Sequence, residues 1–231
     1  MAKKMTPNQN KRSSGRGAKS SSSGKSSKPE KVYINRWYPR DEKVFNKFAD
    51  SPILTRQDLH EHVKDKRIRD YEREGYVEKC LDRRTESEYF KLTDKGRDLC
   101  KEKYDREPGV FHSYKHENGI RELYNTLNED TKRDIMSELE IQETAVRYWK
   151  ACQTSANEDI RQRGYDMEHA YKRGDISTCD FGILKVNFET LEVEQAEFYE
   201  VITPSYTKGD ISAKHEFANS FGGSIATSTV R

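Results

Sequence analysis

The sequence predicts an α+β fold, on three observations. Apolar residues recur at helical spacing between residues 39 and 74 and between 113 and 152. Each of these stretches is followed by short runs that alternate apolar and polar residues, as strands do. Turn residues, Ser51-Pro52, Gly75 and Glu107-Pro108-Gly109 among them, punctuate the pattern.

Pro39 to Asp50 reads as a helix, with Val44, Phe45 and Phe48 on one face. Thr55 precedes Arg56-Gln57-Asp58-Leu59, an N-cap with an acid three residues on, so a short second helix runs to about Val63. A third helix spans about Asp65 to Glu74, with Ile68 and Tyr71 inward. Gly75 ends it, in the position that wants a left-handed backbone. Tyr76 to Leu81 and Glu88 to Leu92 are strands around the polar turn 82–87, and Thr93 caps a fourth helix.

Beyond the boundary at Glu107-Pro108-Gly109, residues 113–127 read as a helix with Ile120, Leu123, Tyr124 and Leu127 on one side. A second helix is expected from Asn128 to about Cys152, carrying Ile135, Met136, Leu139, Ala145 and Trp149. A more polar helix follows at about 157–172. Ile176 to Val186 and Ala196 to Ile202 then read as strands around an acidic turn. A helix from Asp210 to about Phe221 and a short strand from Ser224 complete the chain.

The net charge of +2 over 231 residues conceals a division. Residues 1–31 carry +8, residues 32–104 carry +2 and residues 105–231 carry −8. The first segment is Ser, Gly, Lys and Arg with almost nothing to bury, so residues 1–35 are read as a disordered basic tail. Residues 36–107 and 108–231 are the expected domains. No apolar run reaches the roughly 18 residues of a membrane span, and no secretory signal opens the chain. Cys80, Cys100, Cys152 and Cys179 never form C-x-x-C, which argues against a disulfide framework or a cysteine zinc site and for the cytoplasm.

Helix, helix, helix, two strands, helix is the winged helix-turn-helix order. Glu74-Gly75-Tyr76-Val77 and Phe90-Lys91-Leu92-Thr93-Asp94-Lys95-Gly96 resemble the winged-helix proteins of bacterial regulators. The resemblance implies duplex DNA as partner, with the third helix in the major groove. Lys66, Arg67, Arg69 and Arg73 lie on that helix, and Arg83 and Arg84 lie at the wing tip.

In the C-terminal half, Asp180 and Glu200 fall within neighbouring expected strands, where two carboxylates can hold a divalent metal through oxygen. This resembles the PD-(D/E)XK nuclease fold, which implies Mg²⁺ or Mn²⁺ at Asp180 and Glu200 and a lysine two residues after the glutamate. Ile202 stands there, so Lys208 or Lys214 is the candidate substitute, and the fold is expected to be degenerate. Glu168 and Glu197 are further acids in reach of such a site. His112, His116 and Glu117 invite a zinc reading but read better as a polar helix start. The order of the two halves, with Phe111-His112-Ser113-Tyr114-Lys115-His116-Glu117-Asn118 between them, resembles the replication-relaxation family of bacterial plasmids and conjugative elements.

The expectation is a DNA-binding protein of a mobile element, acting in replication, transfer or transcriptional control, whose acidic half dimerises or recruits a protein partner. Two alternatives are a metal-dependent endonuclease using Asp180 and Glu200, and an interaction protein whose acidic half mimics phosphate.

Overall fold

Val44, Phe45 and Phe48 are fully buried on the inner face of the first helix, α1 (Pro39–Asp50). The computed structural model describes residues 32–230, so residues 1–31 of the expected basic tail lie outside it. Ile34, which the sequence assigns to the tail, is buried in the first core, and the ordered module therefore begins before residue 36.

A two-residue strand β1 (Ile53–Leu54) follows, then α2 (Arg56–His60) and α3 (Asp65–Arg73). Thr55 caps α2: its hydroxyl accepts the Asp58 N–H, and the Asp58 carboxylate accepts the Thr55 N–H. Gly75 takes φ +71° just past α3, the left-handed turn that lets the chain reverse into β2 (Val77–Asp82). β2 pairs antiparallel with β3 (Ser87–Leu92), and β1 pairs with the far side of β3, giving the order β1-β3-β2. Thr93 caps α4 (Asp94–Tyr104). One core runs through this half, built on Phe45, Phe48, Leu59, Ile68, Tyr71 and Phe90.

The second half opens with α5 (Tyr114–Thr126). The single long helix expected from 128 to 152 is instead broken. A short α6 (Glu129–Arg133) gives way to a two-residue strand β4 (Met136–Ser137), and α7 (Glu138–Gln153) starts afresh. Ser137 and Glu140 form a capping box at that restart, while Met136 pairs with Gly182 in the sheet. Helical periodicity on both sides of the break hides it from a sequence window. α8 (Glu158–Arg173) packs on α7 at Gly164, where a Cβ would lie 2.6 Å from the Trp149 carbonyl oxygen.

The second sheet has the order β4-β5-β6-β7, with β5 (Phe181–Asn187), β6 (Glu192–Ile202) and β7 (Ser224–Thr229). Its first three strands are antiparallel, and α9 (Lys208–Ser220) carries the chain over so that β7 lies parallel to β6. The molecule is therefore α+β, with two separate sheets. Buried charges join its halves. Arg106 bridges Asp50 and Glu140, Arg121 meets Asp58 at 3.2 Å, and the Tyr124 hydroxyl donates to Asp50. The four cysteines are free thiols. No helix among the described residues is long and apolar enough to cross a membrane.

Candidate functional site

Asp180 lies in the bend just before β5, not inside the strand, because residues 176–180 make no ladder. Glu200 lies on β6, beside Tyr199, which is paired with Phe181. This register brings the two acids together at one end of the sheet. The Asp180 N–H donates to Glu200 Oε2 at 3.0 Å, and the Val201 N–H donates to Asp180 Oδ2 at 2.7 Å.

Other elements close on the pair. His116, in the first turn of α5, places Nε2 3.2 Å from Asp180 Oδ1 and Nδ1 3.3 Å from Glu117 Oε1. Lys214, two turns into α9, places Nζ 3.1 Å from Glu200 Oε1, and the Tyr206 hydroxyl donates to the same oxygen at 2.7 Å. Lys214 also donates to the Thr178 carbonyl, and the Thr178 hydroxyl donates to Glu138 in the first turn of α7. A cavity of about 350 Å³ opens onto this cluster, lined by His112, His116, Glu138, Asp180, Tyr206 and Lys214.

The cluster's electrostatics follow from its burial. Burial and the neighbouring Asp180 push the Glu200 carboxyl above the usual range, against the pull of Lys214 and Tyr206. Burial alone would depress the Lys214 ammonium, but Glu200, Asp180 and Glu138 outweigh it and hold the group above an ordinary lysine. His116 behaves alike: burial lowers it, yet its contacts with Asp180 and Glu117 raise it to about 10.

The carboxylates do not fit a divalent cation as they stand. All four oxygens of Asp180 and Glu200 already face His116, Lys214, Tyr206 or a backbone N–H. Among the described residues no group of three or more His, Cys, Asp or Glu side chains is placed to hold a metal ion. A metal there would have to displace Lys214 or His116, whose positive charges sit where its own would act.

Of the two candidate lysines, the structure brings in Lys214. Lys208 is exposed at the start of α9 and makes no ion pair with a described residue. Glu168 on α8 is held by Lys172 and by Gln153 of α7, and Glu197 accepts from Gln195, so neither joins the cluster. Glu138 and Tyr206 are members that sequence reasoning left out, and His116 and Glu117, read there as a polar helix start, belong to the cluster too. The four-residue spacing of His112 and His116 beside Glu117 was the one visible sign of them.

The second group of candidate residues lies on α3 and the wing. Lys66, Arg69 and Arg73 follow an i, i+3, i+7 spacing and form one exposed stripe. Arg83 and Arg84 are exposed at the tip of the β2–β3 turn, which Asp82 fixes by accepting from the Thr85 N–H and hydroxyl. None of these five cations makes a salt bridge with a described residue, whereas Lys47, Arg56, Arg106 and Arg121 all do. Arg67 has to be removed from the predicted set. Its guanidinium grips the buried Asp41 through Nε and Nη2, at 2.9 and 2.6 Å, and Nη2 also donates to the Arg36 carbonyl.

Comparison with known proteins finds no matching family model, no matching curated protein and no matching solved structure.

Proposed function

We propose that this protein binds duplex DNA through a winged-helix module formed by α1 to α4 and the β1-β3-β2 sheet. The observation that carries the reading is the five exposed cations on α3 and the wing tip, none in a salt bridge with a described residue. A helix bearing Lys66, Arg69 and Arg73 suits the major groove, and Arg83 and Arg84 suit the flanking backbone. The second half then serves as a nuclease-like scaffold whose acidic surface takes part in assembly. The resemblance noted for the whole chain would place such a protein in the replication, transfer or transcription of a bacterial mobile element.

Each phosphate neutralised contributes about 0.9 to the slope of log K against log salt. Replacing Arg83 and Arg84 together by Ala is expected to lower that slope by up to about 1.8 and to weaken duplex binding more than tenfold at low salt. Fluorescence anisotropy with a labelled duplex measures both. Unchanged affinity and slope would remove the wing from the interface.

Phosphodiester cleavage is a second reading, favoured by Lys214. The sheet order with a helix leading into a parallel last strand, and an ammonium on Glu200 supplied from α9 in place of Ile202, support a nuclease-like domain with a displaced lysine. Held above its ordinary pKa, Lys214 stays charged and would stabilise an anionic phosphoryl group, not take up a proton. Supercoiled plasmid incubated both without metal and with Mg²⁺ or Mn²⁺ tests it. Nicking by wild type that is lost in Lys214→Ala, at a temperature where circular dichroism shows the variant still folded, supports cleavage, and intact plasmid leaves the domain a scaffold.

A further inference from the structure

A groove of about 390 Å³ lies beside α3, with no wing residue in its lining, and its walls come from two places in the chain. One wall is the N-terminal end of α3. The other is an arm, residues 33–40, laid along the same helix. Near the C-terminal end of α3, the Tyr33 and Ile34 N–H groups donate to Glu74. In its first turn, Arg67 donates to the Arg36 carbonyl at 2.8 Å. Ile34 and Trp37 turn inward, Trp37 stacking on Tyr71 with ring centres 6.3 Å apart. Asn35, Arg36, Tyr38 and Arg40 are left outward.

The arm is thus preorganised by buried contacts. Asp41 holds Arg67 from the first turn of α1 and also accepts from the Tyr38 N–H at 2.7 Å and the Tyr71 hydroxyl at 2.5 Å. The groove is lined by Arg36, Arg40, Lys64 and Lys66, all exposed and none in a salt bridge with a described residue. Arg67 is neutralised by Asp41, and Asp70 is the one acid in the lining. Four cations therefore outweigh one carboxylate.

Three of the four cations stand at helix N-termini. Arg40 is in the first turn of α1, Lys64 is the N-cap of α3, and Lys66 is in the first turn of α3. The N-terminal end of a helix is its positive end, where an anion stabilises and a cation does not. No side chain caps α3 at Lys64. Asp41 and Glu42 in the first turn of α1 and Asp65 in that of α3 already offset the helix ends, so the side chains select the ligand: four cations on a prefixed surface suit an anion with several charges.

We infer that this groove is a second nucleic-acid contact, which takes the phosphodiester backbone where it leaves the face covered by α3. The inference rests on the duplex-binding reading but uses residues outside the recognition stripe, Lys66 excepted. Arg36 and Arg40 carry the specific claim. They flank Tyr38, with guanidinium carbons 5.4 and 4.8 Å from its ring centre, which holds both side chains at the groove mouth.

The test uses the full chain, a labelled duplex and a labelled single strand of the same length, titrated between about 50 and 200 mM salt. Arg36→Ala/Arg40→Ala is expected to lower the slope of log K against log salt for duplex by about 1.8 and the affinity by roughly 10- to 60-fold. Arg69→Ala/Arg73→Ala is the comparison, since both residues lie outside the groove. If that variant loses affinity while Arg36→Ala/Arg40→Ala matches wild type in affinity and slope, the groove is not a contact, and the duplex reading stands. If wild type binds neither duplex nor single strand, both ideas fall together. A loss confined to the single strand would also overturn the inference, because the groove would then not lie on the duplex path. Both arginines are exposed, and an unchanged melting temperature in the double variant separates lost contact from lost fold.

Discussion

Lys214→Met is expected to destabilise the protein by about 3–5 kcal/mol, the usual cost of removing one partner from a buried ion pair. The side chains of Lys214 and Glu200 are 12% and 2% exposed, so water cannot replace the missing ammonium. Asp180 lies beside the uncompensated Glu200, and the two carboxylates would be left to repel each other with only Tyr206, His116 and backbone N–H groups as donors. For a chain of this size the melting temperature should fall by roughly 6–20 °C. Glu200 can soften the loss by taking up a proton, since burial and Asp180 already push its carboxyl upward. The deficit of the variant should therefore grow as pH rises through about 7, where wild-type Glu200 gives up its proton and the variant's does not. Lys214→Met combined with Glu200→Gln should recover a large part of the loss, because the buried charge then goes with its partner. Calorimetry on the four proteins of that cycle measures the coupling. A loss below about 1 kcal/mol would mean that the cluster is solvated and the ion pair contributes little.

Asp41→Asn should cost a similar amount, about 3–5 kcal/mol, and for a related reason. Asp41 is fully buried and accepts from Arg67, the Tyr71 hydroxyl and the Tyr38 N–H. An amide keeps the shape but turns one acceptor into a donor facing donors, and it strands the Arg67 guanidinium. The pH dependence has a definite sign. Burial would raise the Asp41 carboxyl, but Arg67, Tyr71 and the Tyr38 N–H outweigh it and hold the folded value below 3.8. A depressed carboxyl contributes stability that is complete above the unfolded value and is lost as pH falls through the folded one. Wild type should therefore weaken below about pH 4, and Asp41→Asn should show a flatter acid limb in urea titrations. An equally steep limb in the variant would place the acid sensitivity elsewhere. The same change should loosen the arm that carries Arg36 and Arg40, which links the stability of this half to its basic groove.

Much of the local structure was legible in the sequence because it depends on neighbours in the chain. The caps at Thr55 and Thr93, the stop at Gly75 and the inward faces at Val44, Phe45, Phe48, Ile68 and Tyr71 all follow from spacing and short-range hydrogen bonding. The approach of Asp180 to Glu200 was legible too, since two neighbouring strands with a short turn leave few registers.

What the tertiary structure decided depends on distant partners. Residues 134–137 leave the helix because Met136 and Ser137 find a strand edge at Phe181 and Gly182, which no local window contains. Arg67 has the same composition and helical setting as Arg69, yet it is withdrawn from the surface because Asp41, 26 residues earlier, is buried without another cation. The charge cluster draws on α5, α7, the 176–180 bend, β6 and α9, so Lys214 could be named as a candidate from sequence but not chosen over Lys208. Chain-local physics determines which residues turn inward. Only the packed fold decides which charges meet, because Coulomb energy depends on distance in space and on the water excluded between the partners.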